Sequence, residues 1–126
     1  MAVPQTDVVT LLSALTAAEP ARREDACGTV TDWLTAFDRF QARTIATVLA
    51  STAVAESDAS CREAQLHALA ELADTGHLAR EFFEPVLNLA PDTLDPSERE
   101  YLEALEREVD TDQAEPVAAE SYVYGD

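Results

Sequence analysis

Lysine is absent from this chain of 126 residues, and its eight basic side chains are all arginine. A high-GC coding bias explains that most simply. Against the eight arginines stand 25 Asp and Glu residues, giving a formal net charge of −17. A surface this negative repels nucleic-acid phosphates and anionic lipid headgroups, and it draws in basic proteins. Nucleic-acid and membrane binding are therefore disfavoured, and a basic protein is the expected partner. A blander reading stays open, that the acidity only keeps a small protein soluble or reflects a salt-adapted proteome.

Other scarcities narrow the class further. Glycine numbers only three, and no β-branched run alternates with period two over strand length, so sheet is disfavoured and helix favoured. The apolar stretches are broken every few residues by Thr, Ser, Asp or Glu, and Met1 to Val9 has no basic start before an apolar core. Neither a membrane span nor a signal peptide is expected, and the location read from this is cytoplasmic. Cys27 and Cys61 lack C-x-x-C spacing and read as small buried thiols in a reducing cytosol, not as a disulfide. The chain contains no glycine-rich phosphate loop, nucleophile elbow or H-E-x-x-H, and no nucleophile paired with a base. No enzyme, cofactor or metal is expected.

With 47 % apolar residues, the chain has enough for one modest core. The fold expected is all-α: five to six amphipathic helices in an antiparallel bundle or a short HEAT-like α-solenoid, occupying residues 1–109. Residues 110–126 read as an acidic, disordered tail, with Asp110, Asp112, Glu115, Glu120 and Asp126 and no basic residue. Tyr122 and Tyr124 within it are a pair that can dock as a short extended segment. Removing the tail's charge still leaves a strongly negative body.

The helices follow from periodicity and caps. After a loose lead-in over residues 1–5, Thr6 or Asp7 caps a helix carrying Val8, Val9, Leu11, Leu12 and Leu15. Pro20 opens the next helix, whose stripe is Ala26, Val30, Trp33, Leu34 and Phe37. Gly28 inside it either admits a close backbone or is simply tolerated, at ~1 kcal/mol relative to Ala. Trp33 reads as core. Asp38 caps a helix with Phe40, Ile45, Val48 and Leu49 inward and Arg39 and Arg43 outward. Asp95, Pro96 and Glu98 form a cap, an N1 proline and an N3 glutamate, starting a last helix with Tyr101, Leu102, Leu105 and Val109.

The richest stretch is 57–90. At 100° per residue, Cys61, Gln65, Ala68, Leu69, Leu72 and Ala73 share one helix face, while Glu63, His67, Ala70 and Asp74 fall opposite. Ser57, Asp58 and Ser60 are candidate N-caps, with Glu63 placed for a capping box after Ser60. Gly76 is the natural left-handed terminator. A second helix from His77 puts Leu78, Phe82, Val86 and Leu89 on one stripe, with Pro85 bending or shortening it, so an antiparallel helix pair is expected. Glu63, His67 and Glu71, at successive i, i+4 steps, are the one constellation resembling a metal or acid/base cluster, and the solvated charged face is the preferred reading.

Asp58, Ala59, Ser60, Cys61, Arg62, Glu63, Ala64 and Gln65 resemble the D-x-x-(V/C)-R-x-x-A opening of the inner helix of HEAT-type repeats, with Gln65 at the final alanine position. The chain from Arg62 to Leu89 is similar in style to small helical immunity proteins of bacterial polymorphic toxin systems. That resemblance implies a non-catalytic toxin inhibitor that works by protein–protein interaction, a monomer being favoured. The partner-binding residues expected are Glu63, His67, Glu71, Asp74, Glu81 and Glu84, forming an acidic helical face that occludes a basic toxin. The alternative is a structural or scaffold adaptor that self-associates or bridges subunits through an exposed apolar patch around Phe82, Phe83 or Tyr101.

Overall fold

A computed structural model describes the backbone of residues 2–120 and the side chains through Glu108. Among the described residues all regular structure is helical, and no helix is long and apolar enough to cross a membrane. The α-helices are α1 (Gln5–Leu15), α2 (Pro20–Asp32), α3 (Arg39–Ala55), α4 (Ala59–Asp74), the four-residue α5 (Glu84–Leu87) and α6 (Pro96–Glu120). The all-α expectation holds. Helix α6 carries the backbone on to Glu120, past Asp110, where the core pattern ends; Tyr122 and Tyr124 lie outside the described residues.

Helix α4 is the hub, packed against α2, α3 and α6. Its inward residues Cys61, Gln65, Leu66, Ala68, Leu69, Leu72 and Ala73 are all buried. Asp58 caps it, accepting from the Cys61 N–H at 2.8 Å. The alternative cap is not used: the Ser60 hydroxyl donates instead to Glu24 on α2, at 3.0 and 3.1 Å. At the other end Gly76 takes φ 85°, the left-handed value a C-terminal glycine supplies without strain.

The antiparallel partner of α4 is α3, which precedes it. Asp38 accepts from the Gln41 N–H and Gln41 returns a carbonyl to the Asp38 N–H, closing a capping box. Ala42, Ala46, Ala50 and Ala53 are buried on one face of α3, and such small side chains let two backbones approach closely. Arg43, near the start of α3, donates to the His77 carbonyl just past the end of α4, which fixes the opposed directions. By contrast α2 and α6 run parallel to α4. Glu24 meets Ser60, Arg62 meets Glu98, and His67 meets Tyr101 in matching order.

Helix α1 starts at Gln5, ahead of Thr6 and Asp7, with no side-chain cap, and α2 ends at Asp32, before Trp33, Leu34 and Phe37 of its expected stripe. Three further expectations need correction. No long helix starts at His77: a 3-10 turn (Arg80–Phe82) gives way to α5 and a further turn (Pro91–Thr93) before α6 begins. Pro85 has no N–H to bond back to Glu81, so the chain restarts there with Pro85 in the first turn of α5. Burial survives without the helix, for Leu78, Phe83, Val86 and Leu94 are in the core, Phe83 being buried where Phe82 is half-buried. Second, Phe40 is 78 % exposed. It lies five residues before Ile45, about 140° around the helix from the buried stripe. Third, the lead-in is pinned: Val3 is buried, and its N–H and C=O both bond to the Gln41 side chain, at 3.2 and 2.7 Å.

Candidate functional site

Because α4 is flanked on both sides by parallel helices, its solvent face becomes the floor between two shallow grooves. On one side Glu71 and Asp74 of α4 face Glu100, Tyr101, Arg107 and Glu108 of α6 across a cavity of about 400 Å³. On the other, His67 faces Glu24 and Asp25 of α2 across about 300 Å³, with Gly28 and Ala64 between them. His67 joins the two. Its ring stacks on Tyr101 with centroids 5.0 Å apart, and its Nε2 lies 3.8 Å from Glu71.

Four of the six residues expected to form an acidic face are thus on one strip. His67, Glu71 and Asp74 are exposed and Glu63 half-buried. Glu81 and Glu84 do not join them: they sit in the 3-10 turn and in α5, elements that pack on α3 and α6, and they line neither groove. The cause is the missing helix after Gly76, which would have carried them alongside α4. Glu84 instead lies 3.6 Å from Arg80. In their place the tertiary arrangement brings Glu24, Asp25, Glu100 and Glu108, which sequence periodicity marks only as outward residues of other helices. Among the described residues no group of three or more His, Cys, Asp or Glu side chains converges as metal ligands.

The interior holds carboxylates of a different kind. Glu56, closing α3, is 8 % exposed and Glu98, at the start of α6, is 0 % exposed. The Arg23 guanidinium grips Glu56 through two nitrogens, at 2.9 and 2.6 Å, and its third reaches the Ala17 and Ala18 carbonyls after α1. Gln65 Nε2 and the Asp58 N–H also donate to Glu56, at 2.8 and 3.2 Å. One carboxylate therefore ties together the ends or starts of four helices. The Arg23 contact holds its carboxyl down to about 2, overcoming the opposing effect of burial.

Glu98 bonds Arg62 at 2.8 and 3.2 Å and accepts from the Asp95 N–H at 2.8 Å, so it closes α6 and clamps it to α4. Burial pushes its carboxyl up, but the Arg62 and Asp95 bonds outweigh that and hold it below the ordinary range. Cys27 and Cys61 are both free and buried. Burial pushes their thiols up to about 12 and about 11, which keeps them protonated and poor nucleophiles.

The arrangement combines a rigid interior, locked by paired charge, with a strip of solvated carboxylates held open on its surface. Chemically the strip can attract and align cationic groups. Comparison of the chain with protein-family models, with curated proteins and with solved structures returned no match.

Proposed function

We propose that this protein is a non-catalytic binding module that recognises a basic protein through the outer strip of α4. In line with the resemblance of residues 57–90, the partner is a cognate bacterial toxin, which the module neutralises by covering its basic substrate groove. The observation that carries the reading is the gathering of Glu71, Asp74, Glu100 and Glu108 in one groove and of Glu24 and Asp25 beside His67 in the next. These carboxylates come from three helices whose backbones are fixed by buried packing, so their spacing is set before any partner arrives. Although Arg107 also lines the first groove, the preset excess of negative charge speeds encounter with a cationic partner and repels wrong ones, and it needs no bond-making chemistry.

The test begins with the neighbouring genes: a toxin domain encoded beside this one is co-expressed with the protein, and association kinetics of the purified pair are measured. Wild-type protein is expected to restore growth and to bind with an on-rate that falls steeply with salt. Reversing the strip with Glu71→Arg and Asp74→Arg should cut the on-rate by about tenfold or more and flatten its salt dependence, while thermal unfolding stays near that of the wild type. An unchanged on-rate in that variant would remove the strip from the reading. Failure of the wild type to form any complex would remove the toxin partner itself.

A further inference from the structure

A third groove lies between α1 and α2, about 340 Å³ in volume. Leu11 and Ala26 on its floor are each 4 % exposed and belong to the core, while Trp33, half-buried, forms part of the wall. The hydroxyls that line it are already committed, Thr10 to the Thr6 carbonyl at 3.0 Å and Thr29 to the Asp25 carbonyl at 3.4 Å. What remains free at the rim is charge. Asp7, Asp25 and Arg22 line the groove without an ion pair among the described residues. Asp25 also lines the groove beside His67, so this cavity continues the acidic strip around α2.

We propose that the α1–α2 groove is an anchor pocket for one basic side chain of the partner, an arginine or lysine with its apolar stem along Leu11 and Trp33 and its cation between Asp7 and Asp25. This rests on the reading of a basic partner and names where its deepest contact is made. The fit is chemical at both ends. Arginine and lysine bury an aliphatic stem while keeping the charged head at the surface, which matches an apolar floor below an acidic rim. An indole is also the best aromatic neighbour for a cation. Two carboxylates outnumber the single Arg22 guanidinium, and the −17 chain reinforces them. Arg22 is then the element that holds affinity down, and its removal should strengthen binding.

Trp33 is the only tryptophan in the chain, so its fluorescence reports on this groove alone. The full-length protein is titrated with n-butylguanidinium and, in parallel, with the neutral isostere n-butylurea. A saturable change in the Trp33 signal is expected for the cation at about millimolar concentration, as befits a fragment of so few atoms, with the urea several-fold weaker. Asp25→Asn should weaken the cation by about two- to fivefold and Arg22→Ala should tighten it by a similar factor. A flat titration, equal binding of the urea, or weaker binding in Arg22→Ala would overturn the pocket. A flat titration beside intact toxin neutralisation removes the pocket and leaves the strip standing. Saturable, charge-selective binding beside failed neutralisation keeps the pocket and removes the toxin.

Discussion

Glu56 and Glu71 stand on opposite sides of the α3–α4 hairpin and meet opposite fates. At the junction of the two helices, Glu56 is withdrawn from water and satisfied by Arg23, Gln65 and the Asp58 backbone. On the outer face of α4, Glu71 and Asp74 stay solvated in a groove whose lining holds more carboxylates than cations. The same functional group therefore holds the fold together in one region and is kept available in the other. The arginines divide accordingly: Arg23 and Arg62 serve the interior, and the other six are outnumbered by the remaining carboxylates of a chain with 25 acidic residues.

The largest effect should come from breaking the interior. Replacing Glu56 with Gln leaves one acceptor oxygen where two served the Gln65 amide and the Asp58 N–H, and it leaves Arg23 without its counter-charge. Glu56→Gln should therefore cost about 2–4 kcal/mol in chemical denaturation at pH 7. Acid sharpens this. The folded carboxyl sits at about 2 against roughly 4.3 unfolded. A group lowered on folding contributes stability in full above its unfolded value, and that contribution is lost as pH falls through the folded one. The gap between wild type and Glu56→Gln should thus be constant above roughly pH 5 and shrink as pH drops towards 2. A gap independent of pH would mean that charge is not what the junction uses.

Much of this frame was legible in the sequence, and the limits of legibility are physical. Asp38, Gly76 and the Asp95–Pro96–Glu98 start act through backbone groups within a few residues, so local pattern reveals them. The inner face of α4 follows from period 3.6 for the same reason. Periodicity says which face of a helix is buried but not which helix covers it, and so the hairpin partner was expected after Gly76 instead of before Asp58. Glu98 read as a cap alone, because its bond to Arg62 spans 36 positions. The one sequence hint of a buried charge was Gln65, a polar residue in an apolar stripe, which requires a polar partner inside. Pro85 announced a break, yet its consequence for Glu81 and Glu84, removal from the α4 strip, depends on how the irregular chain then packs on α3.

A smaller effect should come from the rim of the α2–α4 groove. A methyl group added at Gly28 would meet nothing within 4 Å, and the backbone there is ordinary helix. The close-approach reading of this glycine is therefore set aside, leaving only the entropic cost of glycine inside a helix. Gly28→Ala should stabilise the protein by about 0.5–1 kcal/mol, raising Tm by about 2–4 °C. A lower Tm would show that α2 and α4 come closer together than this groove allows.

The smallest stability change belongs to the outer strip, and its smallness distinguishes the two regions. Glu71 is 47 % exposed and its contact with His67 is equally open, so the pair contributes about 0–1 kcal/mol. Neutralising the strip with Glu71→Gln and Asp74→Asn removes that contact and any attraction to Arg107, but also relieves repulsion from Glu100 and Glu108 across the groove. These contributions oppose one another, so unfolding free energy should move by no more than about 0.5 kcal/mol in either direction. Salt separates them further, since repulsion between exposed charges is screened over about 10 Å at 0.1 M. The double variant should be relatively more stable at low salt than at high salt. A large loss of stability would make Glu71 and Asp74 part of the scaffold, and the division between holding carboxylates and presenting ones would fail at its outer edge.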